Sequence, residues 1–234
     1  MSLWQRFLAW LGFGGDPVLS PPVVAVRPRI GIVCHRLNDD DVAVLAAMRV
    51  RTVRLSLYEN VAGAEWLDRA VTEGFDILCA TYRSAADRPA DAARWPTVRW
   101  QVGNEPDWAT IPPASIVSDG AVSCGLASGT PAAWIEAFAN AEPTGQILAL
   151  HAYGTPLKDA VTTTISRIPN RRPCWLTEIG CHDVQELSDA LNAIDGAVVD
   201  RVYVYALWSE SDHYTLTSAQ QSVIRQYVSS SSLS

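Results

Sequence analysis

The sequence has no run of about 18 consecutive apolar residues, the length a helix needs to cross a bilayer. It contains no C-x-x-C, H-x-H or H-E-x-x-H, and its five cysteines (Cys34, Cys79, Cys124, Cys174, Cys181) are odd in number. These absences exclude zinc-type spacing and argue against a disulfide framework, leaving the cysteines as small buried hydrophobes. Basic residues are scarce: 18 Lys and Arg against 25 Asp and Glu give a net charge of −7. Phosphate backbones need a basic footprint, so no nucleic-acid partner is expected. Charged residues make up 18% of the chain and hydrophobic ones 48%, too apolar for disorder and enough for one large core. Tryptophan is abundant, with nine residues. Its ring fills cores and also forms platforms for flat ligands.

Residues 1–28 read as an apolar leader and Pro-rich linker. Leu3, Trp4, Phe7, Leu8, Trp10 and Leu11 fall at helical spacing before Gly12-Phe13-Gly14-Gly15-Asp16-Pro17, and Pro21-Pro22 keeps the next stretch extended. With one Arg, a short apolar centre and no A-x-A site, the leader does not make a convincing signal peptide. A helix packed on the domain or left loose is preferred over contact with a membrane surface. The localisation stays open on these grounds.

Residues 29–228 alternate short apolar runs with amphipathic ones. Strands are expected at Ile30–Cys34, Thr52–Leu57, Asp76–Ala80, Val98–Gly103, Ala121–Leu126, Ile147–His151, Cys174–Thr177 and Arg201–Leu207. Helical stretches lie between them, including Asp39–Arg49, Ala64–Glu73 and Val184–Ile194, and Ser218–Val228 forms a last helix. The strands are near-continuous apolar runs, as strands covered on both faces should be. Eight β–α units predict an α/β fold, a compact (β/α)8 TIM barrel, though an open doubly wound sheet would read much the same. Cys34, Cys79, Cys124 and Cys174 would then fill layers inside the barrel, Trp100 and Trp175 would pack between barrel and helices, and residues 229–234 form a Ser-rich tail.

In such a barrel the active site lies at the C-terminal ends of the strands. The fourth strand ends in Gly103-Asn104-Glu105-Pro106-Asp107-Trp108 and the seventh in Leu176-Thr177-Glu178-Ile179-Gly180, so two glutamates converge on one rim. Paired carboxyls suit glycosidic-bond chemistry: one donates a proton to the leaving oxygen while the other attacks the sugar or activates a water. Like charges at close range also raise the pKa of one member of such a pair. Arg54 lies on the second strand, His151 and Tyr153 end the sixth, and Trp208 and Glu210 end the eighth. His35, Tyr58, Glu59, Tyr82 and Trp108 stand at strand ends where they would line a cleft. His182, Asp212 and His213 lack metal-binding spacing, and no metal site is assigned. Phosphate-binding barrels use Gly-rich loops after the last two strands, where this chain offers Cys181-His182-Asp183 and Ser209-Glu210-Ser211.

Gly-Asn-Glu-Pro after the fourth strand, His-x-Tyr-Gly after the sixth and Trp-x-Thr-Glu-x-Gly after the seventh resemble clan A of the retaining glycoside hydrolases. The likeness covers about residues 29–228. The short chain and the runs VGNEPD, HAYG and WLTEIG look most like the small family 128 β-1,3-glucanases. The usual family opening at the first strand is missing, HAYG has Ala where an aromatic is common, and TEIG has Ile where Phe is common. Trp208 and Asp212-His213-Tyr214 look as much like families 39 and 5.

The resemblance implies a retaining, endo-acting hydrolase of a polysaccharide or oligosaccharide, β-1,3-glucan being one candidate, that needs no cofactor. It makes Glu105 the general acid/base and Glu178 the nucleophile. It places Asn104 on the sugar 2-hydroxyl, Tyr153 and Arg54 as supports of Glu178, and Trp208 as the floor under the sugar, followed by a cis Trp208–Ser209 bond. His151 is divided between a structural and a substrate role. Such a substrate points to action outside the cell or at its envelope. The alternative is a carbohydrate-binding protein without turnover on the same scaffold, since fold alone does not give function.

Overall fold

The computed structural model describes residues 26–106, 109–116, 121–141, 146–169, 172–208 and 215–231. The leader up to residue 25 and the Trp108, Asp212 and His213 expectations lie outside them. The element order is β1 (Arg29–Val33), α1 (Asp39–Ala47), β2 (Thr52–Leu57), α2 (Ala64–Thr72), β3 (Asp76–Thr81), α3 (Arg88–Arg94), β4 (Arg99–Val102), a 3-10 turn (Pro113–Ile116), α4 (Ala132–Ala141), β5 (Leu148–Tyr153), α5 (Leu157–Ser166), β6 (Cys174–Gly180), α6 (Val184–Ala193), β7 (Val199–Val204) and α7 (Ser218–Ser231).

The seven strands form one sheet in the order β4-β3-β2-β1-β7-β6-β5, and every pairing is parallel. The expected strand over Ala121–Leu126 is not a regular strand. It makes isolated parallel bridges to Gln101 and Asn104 on the β4 side, and to Ile147 and Leu150 on the β5 side. Ser123 interrupts its ladder: the Ser123 hydroxyl accepts the Ala149 N–H at 2.9 Å and donates to the Cys124 carbonyl. Gly125 adds no side chain to hold a pleat.

Two apolar layers result. One fills the space between strands and helices, with Ile32, Leu55, Leu57, Leu67, Leu150, Leu176 and Leu187. The other lies on the opposite face of the sheet and comprises Val33, Leu78, Val122, Ala149, Trp175, Tyr203 and Ala206. Strand alternation sets the division: Val53, Leu55 and Leu57 join the first layer, which turns Arg54 to the other face. A one-residue slip of β2 would drive the Arg54 guanidinium among leucines, at several kcal/mol for an unpaired buried charge.

Two placements differ from the sequence expectation. The cysteines pack in the strand–helix layer, and Trp175 lies in the other, where the Arg201 guanidinium sits 4.6 Å from its ring centroid. Strands apolar on both faces do not reveal which set points inward, and here the phase is the reverse of the one expected. All five cysteines are free and buried.

Local signals place the helix starts. Asn38 accepts the Asp41 N–H at 2.9 Å and Asp41 returns a bond to the Asn38 N–H, a capping box for α1. Asp183 caps α6 through the Glu186 N–H. Gly63 precedes α2 with φ +97°, and a Cβ there would lie 2.3 Å from the Ser56 carbonyl. At the C-terminus, α7 runs through Ser231 into the stretch read as a tail, and Ser230 accepts a hydrogen bond from Arg27 at 2.6 Å. Among the described residues, no helix is long and apolar enough to cross a membrane.

Candidate active site

The site is assembled at the C-terminal ends of the strands. β6 brings Glu178 there through a break in register. Leu150 faces Leu176 and His151 faces Glu178, so Thr177 is an extra residue relative to β5, and the pairing with β7 shifts at the same place. Strict alternation from Leu176 would put Glu178 toward the helices and Ile179 on the other face. With the bulge, Ile179 stays in the helix-facing layer and Glu178 turns toward Arg54. Opposite it, Glu105 follows Gly103 (φ +82°) and itself adopts φ +45°, a conformation that costs a non-glycine residue roughly 1–3 kcal/mol. The Glu105 N–H donates to the Gly125 carbonyl at 2.7 Å, which anchors this turn to the irregular segment.

Hydrogen bonds surround each glutamate, and His151 stands between the two. Arg54 Nη1 donates to Glu178 Oε1 at 2.7 Å, and its Nη2 donates to Asn104 Oδ1 at 2.8 Å. Tyr153 Oη donates to Glu178 Oε2 at 2.6 Å. His151 Nδ1 lies 2.8 Å from Glu105 Oε1, and its Nε2 lies 3.6 Å from Glu178 Oε1. Gln101 Nε2 donates to Asn104 Oδ1 at 3.1 Å. With Oδ1 accepting from both Arg54 and Gln101, the Asn104 amide nitrogen is left as the donor. Gly125 makes room for this meeting: a Cβ there would come within 2.6–2.8 Å of Asn104 Oδ1, Gln101 Nε2 and His151 Nε2.

The two carboxylates sit in contrasting surroundings. The Glu178 side chain is 9% exposed and that of Glu105 is 44% exposed. Burial works to raise the Glu178 pKa, but the Arg54 charge, the neighbouring His151 and the hydrogen bonds from Tyr153 and Arg54 outweigh it. The carboxyl is held below its ordinary value and is ionised at neutral pH. Burial and the adjacent Glu178 carboxylate push the Tyr153 hydroxyl well above its ordinary range, so it remains a donor.

Glu105, His151 and Glu178 each offer one ligand atom, and these atoms lie within 4.8 Å of one another. A cation there would have to share Glu178 with the Arg54 guanidinium, and both Glu178 oxygens already accept hydrogen bonds. The donor set therefore fits a pair of carboxylates better than a metal centre.

Glu105, Glu178, Asn104, Arg54, His151 and Tyr153 thus come together. His35 reaches the same corner, its Nε2 3.0 Å from Tyr205 Oη. Glu59 is exposed in the turn after β2, where its backbone carbonyl accepts from Arg83. Trp208, expected as the floor under a ring, has the Arg36 guanidinium 4.1 Å from its ring centroid. Among the described residues it is Tyr205 that approaches the cluster from this strand, with its ring 6.1 Å from that of Tyr153. Tyr205 was missed because β7 ends at Val204, three residues before the expected end. Continuing the alternation from Arg201 through Tyr203 would have pointed to it. The Trp208–Ser209 bond lies partly outside the described residues, and the non-proline cis bond found among them joins Tyr205 and Ala206.

Residues 82–221 match the model of the family described as "Glycosyl hydrolase catalytic core". A xyloglucan-specific endo-β-1,4-glucanase of glycoside hydrolase family 5 from a metagenomic library, solved with cellotriose, superposes with a TM-score of 0.54 at 12% identity, over 82% of this chain and 88% of that one. The family 5 enzyme PbGH5A from Prevotella bryantii B14 gives a TM-score of 0.54 at 10% identity, over 82% and 87% of the two chains. At such identities these two likenesses bear on the fold alone. A search of curated proteins finds no match. The family match spans more than half of the chain and includes both strand-end glutamates, so the chain belongs to the glycosyl hydrolase catalytic core family.

Proposed function

We propose that the protein is a retaining glycoside hydrolase that cleaves a β-linked glucan by double displacement. We read its scaffold as a (β/α)8 barrel whose fifth strand is the irregular segment 121–126. The observation that carries the mechanism is the approach of a Glu105 and a Glu178 oxygen to within 4.8 Å from two different strands. Inverting enzymes hold their carboxyls about 6.5–9.5 Å apart to admit a water, whereas retaining pairs stand about 5–5.5 Å apart.

In the first step a Glu178 oxygen attacks the anomeric carbon as its bond to the leaving oxygen breaks, and Glu105 gives that oxygen a proton. In the second step Glu105 takes a proton from water, the water oxygen attacks the anomeric carbon, and Glu178 departs as carboxylate. The environments suit these roles. Arg54 and Tyr153 keep Glu178 ionised, while the more open Glu105 can exchange protons with solvent. His151 orients the Glu105 carboxyl from a fully buried position. The Asn104 amide nitrogen, left free to donate, serves the 2-hydroxyl of the sugar in this reading, a bond that strengthens in the transition state. An endo-acting enzyme on a chain such as β-1,3-glucan is the substrate reading, by likeness of motif.

The test is the Glu105→Ala variant on aryl glycosides with good and poor leaving groups. It should retain glycosylation only with good leaving groups and regain turnover, as a glycosyl azide, when azide is added. A variant that treats both leaving groups alike would overturn the assignment. Glycan binding unchanged by either glutamate substitution, with no hydrolysis, would favour the binding-protein alternative.

A further inference from the structure

Tyr58 and Tyr82 are among the large apolar side chains left most open to solvent, at 42% and 38% exposure. They stand directly after β2 and β3, at the strand ends beyond Arg54. Their rings are parallel within 2°, with centroids 5.4 Å apart. Tyr82 lies close enough to the cluster for its hydroxyl to feel the charges of Arg54 and Glu178.

The frame beneath these rings is fixed. The Tyr82 N–H donates to the Leu57 carbonyl at 3.0 Å and the Tyr58 N–H to the Ala62 carbonyl at 3.1 Å. Arg83 ties the two turns together: its Nη1 donates to the Glu59 carbonyl at 2.8 Å and its Nε to Asp91 at 3.0 Å. The Arg83 N–H caps back onto Thr81 Oγ1. Two aromatic rings held rigid at a surface lose little entropy when a flat, partly apolar ligand covers them.

We propose that Tyr58 and Tyr82 form a stacking platform for a pyranose ring of the glycan chain, next to the cleavage point on the β2–β3 side. The inference rests on the glycosidase reading and adds the direction in which the chain leaves the site. Tyr82, whose hydroxyl feels the charges of Arg54 and Glu178, supplies the ring toward the carboxylates and Tyr58 stacks on it. The occupant is a sugar because the platform is continuous with a rim that already holds paired carboxylates, and because tyrosine presents an apolar face with a hydroxyl at its edge for the hydroxyls of such a ring.

The experiment compares wild type with Tyr82→Ala, Tyr58→Ala and Tyr82→Trp on β-1,3- and β-1,4-glucan oligosaccharides of increasing length and on an aryl monoglycoside. Losing one stacked ring should lower kcat/KM on the long oligosaccharides relative to the aryl glycoside by about tenfold, mainly through KM. Tyr82→Trp should restore the ratio. Affinity electrophoresis in soluble β-glucan gives a second reading, with the alanine variants retarded less than wild type. If wild type hydrolyses or binds these glucans and the alanine variants keep the same length dependence, the platform is refuted and the glycosidase reading stands. If wild type neither binds nor cleaves any of them, the β-glucan reading falls and the platform with it.

Discussion

Replacing Arg54 by methionine removes the partner of a buried carboxylate while keeping most of the side-chain volume. The Arg54 and Glu178 side chains are 4% and 9% exposed, and the ion pair spans 2.7 Å. Solvent screens such a pair little, and stranding one member costs about 3–5 kcal/mol. The lost bond to Asn104 is partly covered by Gln101. Since Glu178 is held below its ordinary pKa, the wild-type stabilisation is complete above the unfolded carboxylate value. It is lost as pH falls through the lower, folded value. In the variant burial acts with less opposition, so Glu178 takes up its proton at higher pH. Urea unfolding followed by tryptophan fluorescence should give a difference of about 3–5 kcal/mol near neutral pH, narrowing on acidification as both forms approach the protonated state. The acidic limb of kcat/KM should move to higher pH. A stability difference under about 1 kcal/mol that does not change with pH would refute the view that Arg54 holds Glu178 ionised.

Tyr153→Phe deletes a 2.6 Å bond to an ionised acceptor, and steady-state kinetics should show kcat/KM falling about ten- to a hundredfold. Gly125→Ala puts a methyl group within 2.8 Å of Asn104, Gln101 and His151; activity should drop at least about tenfold while unfolding shows a loss of about 1–3 kcal/mol from overpacking. Burial pushes the Cys34, Cys79 and Cys174 thiols well up and that of Cys181 to about 11, so Ellman's reagent should find essentially no reactive thiol in the native protein. After denaturation all five should react.

Much of this arrangement was legible in the sequence because apolar runs and strand-end residues obey simple periodicities. Seven of the eight expected strands form, and Glu105 and Glu178 were found by asking what stands at each strand end. What stayed hidden depended on departures from periodicity. The bulge at Thr177 that turns Glu178 toward Arg54 leaves no compositional mark. The Ala121–Leu126 run is apolar enough for a strand, yet the Ser123 hydroxyl replaces a ladder bond. Trp175 and the cysteines lie on strands covered on both faces, where hydrophobicity carries no phase. Tyr205 lies one residue beyond Val204, where β7 stops, and one alternation step beyond Tyr203.

The central claim is that Glu178 forms a covalent bond to the sugar. The most direct measurement is mass spectrometry of the protein after incubation with a 2-deoxy-2-fluoro glucosyl fluoride, followed by proteolysis and mapping of the adduct. One glycosyl group is expected on the peptide that contains Glu178, and none in Glu178→Gln. An adduct on Glu105, or inverted products with no adduct, would contradict it.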